Sequence, residues 1–191
     1  MARPKSEDKR LALLEAANVA VAERGLGAAT SLIARRAGVA EGTLFRYFAT
    51  KDELLNALYL HLKTSLGKTM MENYRPGASV KERARAVWSG FIDWGLIYPA
   101  ASKSMRQLAV SDKITEATLE QAAQLYPELH ELAEACVTSE FFSCGQSAFA
   151  DAIFFSLAET TMEFASREPD EAGNYKTAGF EVMWRAMTKS A

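Results

Sequence analysis

Apolar residues along this chain recur every three to four positions almost throughout, and no stretch alternates apolar and polar residues between turn signals. That pattern predicts an all-α protein. Leu11, Leu14, Ala17 and Val21 keep helical spacing over 6–24, with Ser6 as the expected N-cap, Glu7 and Asp8 in the first turn and Gly25 as the stop. Residues 28–51 divide into two short helices around a tight turn. Leu32, Ile33 and Ala37 supply the first, Gly38-Val39 marks the break, and Leu44, Phe45 and Phe48 sit in a second from about Glu41 to Phe48. A glycine turn between two short helices is the pattern of a helix-turn-helix, whose second helix enters a DNA major groove. The helix over 6–24 is expected to pack behind the pair and complete a three-helix domain over 1–49.

The remaining segment, 50–191, reads as a larger helical domain. Thr50 with Glu53 forms a capping box, and Leu55, Leu58, Leu62, Leu66 and Met70 mark a helix ending before Arg75-Pro76-Gly77. Ser79 with Glu82 opens the next, whose stripe includes Val80, Ala84, Val87, Trp88, Phe91 and Ile92 and which stops near Tyr98-Pro99. Shorter helices are predicted at about 99–110 and 112–126, and another from Pro127 to about Phe142. Two C-terminal helices follow, roughly 146–167 and 170–188, divided by Glu168-Pro169-Asp170.

Charge changes the picture at one end. The net charge of −2 conceals nine Lys/Arg against five Asp/Glu in residues 1–51 and thirteen against nineteen in the rest. A basic end on an acidic protein suits binding of a phosphate backbone. No run is apolar enough to span a bilayer and the N-terminus is polar, so no membrane association and a cytoplasmic location are expected.

Other chemistry is sparse. Cys136 and Cys144, eight residues apart on one helix, would lie about 12 Å from each other, too far to bridge. Gly25-Leu26-Gly27 lacks the preceding strand and third glycine of a dinucleotide loop. His61 and His130 stand apart from any nucleophile or metal-ligand spacing, and Glu159 and Glu163 have no histidine at di-metal spacing. The chain is therefore expected to be no enzyme and to need neither metal nor cofactor.

The stretch IARRAGVAEGTLFRYFATKDELL, residues 33–55, resembles the signature of TetR-type transcriptional repressors in residue type and spacing together. MARPKSEDK, LYLHLK, QLAVS, LAETTMEFA and GFEVMWRA are also similar to a member of that family linked to control of multidrug efflux. The resemblance implies a homodimeric, ligand-responsive repressor of an efflux or efflux-activator gene, bound to a palindromic double-stranded operator. Ala29 stands where the family often has a capping Thr, with Thr30 or Ser31 as substitutes.

In the second short helix Thr43 can hydrogen-bond a base or phosphate, Leu44 can meet a thymine methyl, and Arg46 can pair with guanine or phosphate. Tyr47 resembles the family position whose hydroxyl reaches the DNA backbone, while Phe45 replaces the usual Tyr and lacks its hydroxyl. Lys51, at a helix start, is expected to meet a phosphate. Thr30, Ser31 and Arg35 are expected to position the domain through phosphates. Arg3 and Lys5 form either a groove-reaching arm or a solvated tail.

For sensing, Asp151 shares a helix face with Phe154 and Phe155, rings beside an anion that suit a planar or cationic amphiphile. Tyr59 and Lys63 are expected on a facing wall, with Trp88 beside them. The alternative is that Asp151 simply pairs with Lys63 or an Arg. Small residues on the last two helices (Ala148, Ala152, Ala158, Ala165, Ala178, Gly179) permit close packing, and in TetR-type proteins the corresponding pair forms the dimer interface. A different class of control, by a protein partner or by abundance, would leave the C-terminal core without a small-molecule inducer.

Overall fold

The computed structural model describes residues 5–137 and 147–188; Arg3 and Cys144 lie outside them. In order, the helices are α1 (Lys5–Arg24), α2 (Thr30–Arg36), α3 (Glu41–Tyr47), α4 (Lys51–Met71), α5 (Val80–Ile97), α6 (Pro99–Ala109), α7 (Glu116–Ala123), α8 (Pro127–Cys136), α9 (Ser147–Arg167) and α10 (Ala172–Met187). A 3-10 turn, Pro169–Glu171, precedes the last. The fold is all-α, with an N-terminal helix-turn-helix and a C-terminal helical region. The chain forms two compact units, Met1–Ser65 with Tyr98–Leu125, and Leu66–Ile97 with Tyr126–Ala191. The first thus takes in more than residues 1–49, since the start of α4 and helices α6 and α7 join it.

In the first unit α1 packs on α2 and also along α6. Leu13, Leu14, Ala17, Ala20 and Val21 of α1 are fully buried with Ile33, Leu44, Leu54, Leu55, Leu58 and Leu108. Each large side chain among them contributes roughly 1.5–3 kcal/mol. A buried polar contact crosses the α1–α6 seam, where Ser104 Oγ donates to the Asn18 carbonyl at 2.8 Å. Asn56 of α4 ties down the α6–α7 connection. Its amide donates to Lys113 O at 2.8 Å, and its Oδ1 accepts from the Thr115 N–H at 3.0 Å.

In the second unit α9 packs on α10 and on α5, and α5 also meets α8 and α10. Helix α5 crosses the end of α4 backbone to backbone. A Cβ on Gly90 would lie 2.7 Å from Met70 Cα and from Thr69 O, so any side chain here would push the two backbones apart. Gly179 of α10 is equally closed in, with Thr161 Oγ1 at 2.4 Å and Trp88 Cζ2 at 2.8 Å from its would-be Cβ. Trp88 donates its indole N–H to Lys176 O at 2.9 Å, which satisfies the one polar atom of a fully buried ring.

Several boundaries differ from expectation for identifiable reasons. Helix α1 already begins at Lys5, which puts Ser6 inside its first turn. Helix α7 starts at Glu116 because Thr115 caps it, and residues 111–114 turn instead, with Ser111 Oγ donating to Leu108 O. Helix α8 stops at Cys136, short of Phe142, and residues 138–142 of the predicted helix lie outside the described range. The Ser79–Glu82 box forms in both directions, Ser79 N–H to Glu82 Oε2 at 3.0 Å and Glu82 N–H to Ser79 Oγ at 3.3 Å. At α4 the return bond shifts by one residue: Thr50 Oγ1 accepts from the Glu53 N–H, but the Glu53 carboxylate accepts from Ala49.

Candidate nucleic-acid interface and aromatic core

The turn between α2 and α3 is built by backbone hydrogen bonds alone. Val39 N–H donates to Ala34 O at 3.0 Å and Gly38 N–H to Arg35 O at 3.1 Å, the paired bonds of a Schellman C-cap. That cap needs a left-handed residue, and Gly38 supplies it with φ +70°. At the other end of α2 the N-cap is Ala29, which offers no side-chain acceptor. Neither Thr30 nor Ser31 substitutes for it. Thr30 is already the first helical residue, and its hydroxyl donates to Glu41 Oε1 at 2.5 Å, joining the start of α2 to the start of α3.

Helix α3 sorts its side chains by angle. Leu44 and Phe48, four apart, point inward at 0% and 4% exposure. Gly42, Phe45 and Arg46 point outward, and Thr43 and Tyr47 flank them half-buried. Phe48 is therefore core, as its spacing from Leu44 predicted. Leu44 is core as well, and this overturns its expected meeting with a thymine methyl: a side chain with no exposed surface cannot reach a base. The exposed apolar group on this helix is Phe45 at 42%. Ser31 and Arg35 are exposed on α2, and Lys51, half-buried, begins α4. Arg36, by contrast, is bound to Glu23 at 2.5 Å. Glu41 escaped notice in the sequence because a bond across eleven residues and a turn leaves no periodic trace.

The residues expected to sense a ligand fall into both units. In the first, Tyr59 is buried, which pushes its hydroxyl pKa up, and Lys63 Nζ lies 5.6 Å from its ring centroid. In the second, Phe154 packs edge-on against Trp88 at 5.5 Å and against Phe91 at 5.6 Å, while Phe155 lies 5.7 Å from Phe91. Phe91, which the spacing places in the apolar stripe of α5, joins both phenylalanines. Asp151 is exposed at the α9 surface rather than enclosed within an apolar helix. Three rings on α9 are also exposed, Phe149 at 59%, Phe155 at 43% and Phe164 at 41%.

His61 Nε2 meets Glu15 Oε1 at 3.0 Å and His130 Nε2 meets Glu134 Oε1 at 3.4 Å. Among the described residues no group of three His, Cys, Asp or Glu could hold a metal ion, and no helix is long and apolar enough to cross a membrane.

This geometry defines a class, an all-helical protein with a helix-turn-helix at its N-terminal end. Residues 13–58, the helix-turn-helix head with its flanks, match the bacterial regulatory proteins of the tetR family. An HTH-type transcriptional repressor of Mycobacterium tuberculosis is 44% identical over 80 residues, which cover 41% of this chain and 41% of that protein. The chain thus spans about two-fifths of that relative's length. A TetR family transcription regulator from Marinobacter aquaeolei superposes with a TM-score of 0.82 at 20% identity, over 99% of this chain and all of that one. The TetR-like regulator LfrR from Mycobacterium smegmatis, solved in complex with proflavine, gives 0.66 at 18% identity over 96% and 99% of the two chains. These structural likenesses show the fold. The proteins concerned are transcription regulators rather than enzymes.

Proposed function

We propose that this chain is a ligand-responsive repressor that acts as a cytoplasmic homodimer on a palindromic operator. Residues 1–49 would carry DNA recognition, and residues 50–191 ligand sensing and dimerisation. The observation that carries this is the outward face of α3, where an exposed aromatic ring lies beside Arg46, Thr43 and Tyr47 on a turn fixed by Gly38. The part of the Phe45 ring left in water gains nothing from folding, and a thymine methyl is an apolar partner for it. Phe45 thus inherits the role first given to Leu44. Arg46 and Thr43 are the polar readers, and Ser31, Arg35, Tyr47 and Lys51 anchor phosphates. Thr30 contributes by orienting Glu41.

Two exposed features support dimerisation: Phe149, Phe155 and Phe164 on α9, and Val182 on α10, which is 55% exposed. Apolar surface of this kind suits a second copy, and two heads suit a two-fold site with half-sites about 34–36 Å apart or a multiple. The resemblance of MARPKSEDK, LYLHLK, QLAVS, LAETTMEFA and GFEVMWRA to RamR, the TetR-type repressor linked to control of multidrug efflux, supports an efflux or efflux-activator gene as target. The ring cluster of Trp88, Phe91, Phe154 and Phe155 supports aromatic or cationic amphipathic inducers, as does the proflavine bound to the TetR-like fold of LfrR. A ligand that drives release from 1:99 to 99:1 must prefer the released conformation by roughly 5.5 kcal/mol.

Fluorescence anisotropy of DNA from upstream of the gene, titrated with cationic aromatic compounds, tests the proposal. A concentration-dependent fall in anisotropy is expected. Tight DNA binding that no compound of a broad panel weakens would instead favour control by a protein partner or by abundance.

A further inference from the structure

Three cations lie along the first turns of α5, and they are treated very differently. Lys81 and Arg85, one turn apart, both grip Glu181 of α10, at 3.2 and 2.6 Å, and hold its carboxyl below the usual range. Arg83 is two residues from each, so at 100° per residue it projects from the opposite side of the helix. There its Nη1 donates to the Tyr74 hydroxyl at 3.1 Å and its guanidinium lies 6.0 Å from that ring. Among the described residues no carboxylate lies within ion-pair distance of it. Its Nε is buried and has no hydrogen-bond partner. The thiol beside it supplies no counter-charge, because burial lifts Cys136 to about 11 and keeps it protonated.

A guanidinium carries a full charge at any physiological pH, and a buried N–H of a charged group without an acceptor is costly. Tyr74 engages Nη1, and the Nε edge of the fork is the one left without an acceptor, the edge that a planar anion pairs with. The same row of α5 continues apolar. Val87 and Phe91 follow Arg83 at i+4 and i+8, and Phe91 touches Phe154 and Phe155. Eight helical residues span about 12 Å, close to the length of an extended ten-carbon chain. We infer that Arg83 is the anchor of a ligand subsite in this unit, taking the carboxylate of an amphipathic anion whose apolar tail runs along Val87 toward Phe91 and the α9 rings. This rests on the sensing role proposed above and changes the charge of ligand expected, from cation to carboxylate.

Isothermal titration of the full chain without DNA, using sodium decanoate, 1-decanol and decyltrimethylammonium, tests it. Decanoate should bind at least tenfold more tightly than decanol, and Arg83→Gln should reduce decanoate to the affinity of decanol, while Lys81→Gln leaves it unchanged. Arg83→Lys keeps the charge and loses the Nε–H and the planar fork, so it should recover only part of the difference. If Arg83→Gln fails to fold, the ligand comparison on the wild-type protein still decides. Equal binding of decanoate and decanol, or unchanged decanoate affinity in a folded Arg83→Gln, overturns the assignment. Operator release by decyltrimethylammonium with no decanoate binding would sink the Arg83 subsite and leave the sensing proposal standing; no binding and no release by any of the three would remove both.

Discussion

Gly38 and Gly90 both disfavour a side chain, for opposite reasons. Gly38 has open space around its Cα and a backbone conformation, φ +70°, that only glycine takes easily. Gly90 has no such φ, and its difficulty is the backbone of α4 lying 2.7 Å from where a Cβ would be. The turn of the head is specified by local backbone geometry within a few residues of chain. The second unit is specified by segments distant in sequence that approach too closely for side chains.

The largest effect should come from Leu44, the core leucine of α3. Leu44→Ala removes a side chain with no exposure and should cost about 2–5 kcal/mol in urea unfolding. Arg46→Ala, two residues on and exposed, should leave stability within about 0.5 kcal/mol. A Leu44 variant as stable as wild type would restore that residue as a DNA reader. Next, Gly90→Ala should cost about 1–3 kcal/mol through overpacking. Gly38→Ala should cost about 1–2 kcal/mol from left-handed strain and weaken DNA binding, whereas Gly38→Asn should cost clearly less because Asn tolerates that region. Gly90→Asn should be no better than Gly90→Ala. If Asn rescued both sites or neither, the contrast between conformation and space would fail.

The smallest effect is pH-dependent. Hydrogen bonds from Lys81 and Arg85 lower the folded pKa of Glu181. The stability it contributes is therefore full above its unfolded value near 4.5 and is lost as pH falls through the lowered folded value. Glu181→Gln should melt slightly below wild type at pH 7 and converge with it on acidification. A gap that persists at pH 3 would mean the pair acts by packing rather than charge.

Much of the head was legible because its signals are local. Gly38 and the apolar spacing of Ile33, Leu44 and Phe48 announce two helices and their turn without reference to the rest of the chain. What misled was the division of labour within α3. Leu44 and Phe45 are adjacent and both apolar, and seven helical residues give too short a stripe to say which faces in; burial decides it. The Thr30–Glu41 bond was hidden for a related reason, since it joins two helix starts across the turn. In the second unit the spacing placed Phe154 and Phe155 on one face and Trp88 on another helix, but not the convergence of both phenylalanines on Phe91. Periodicity also gave no hint that Arg83, alone among the three cations of its helix start, lacks a carboxylate. Partnering is a property of neighbours, and neighbours here are nearly a hundred residues apart.

The most direct test of the whole account is a footprint of the purified chain on DNA from upstream of its own gene, wild type beside Arg46→Ala and Phe45→Ala. The account predicts wild-type protection of a palindrome with half-site centres about 34–36 Å apart or a multiple, and loss of that protection in both folded variants. Protection without two-fold symmetry, or an unchanged footprint in both, would contradict it.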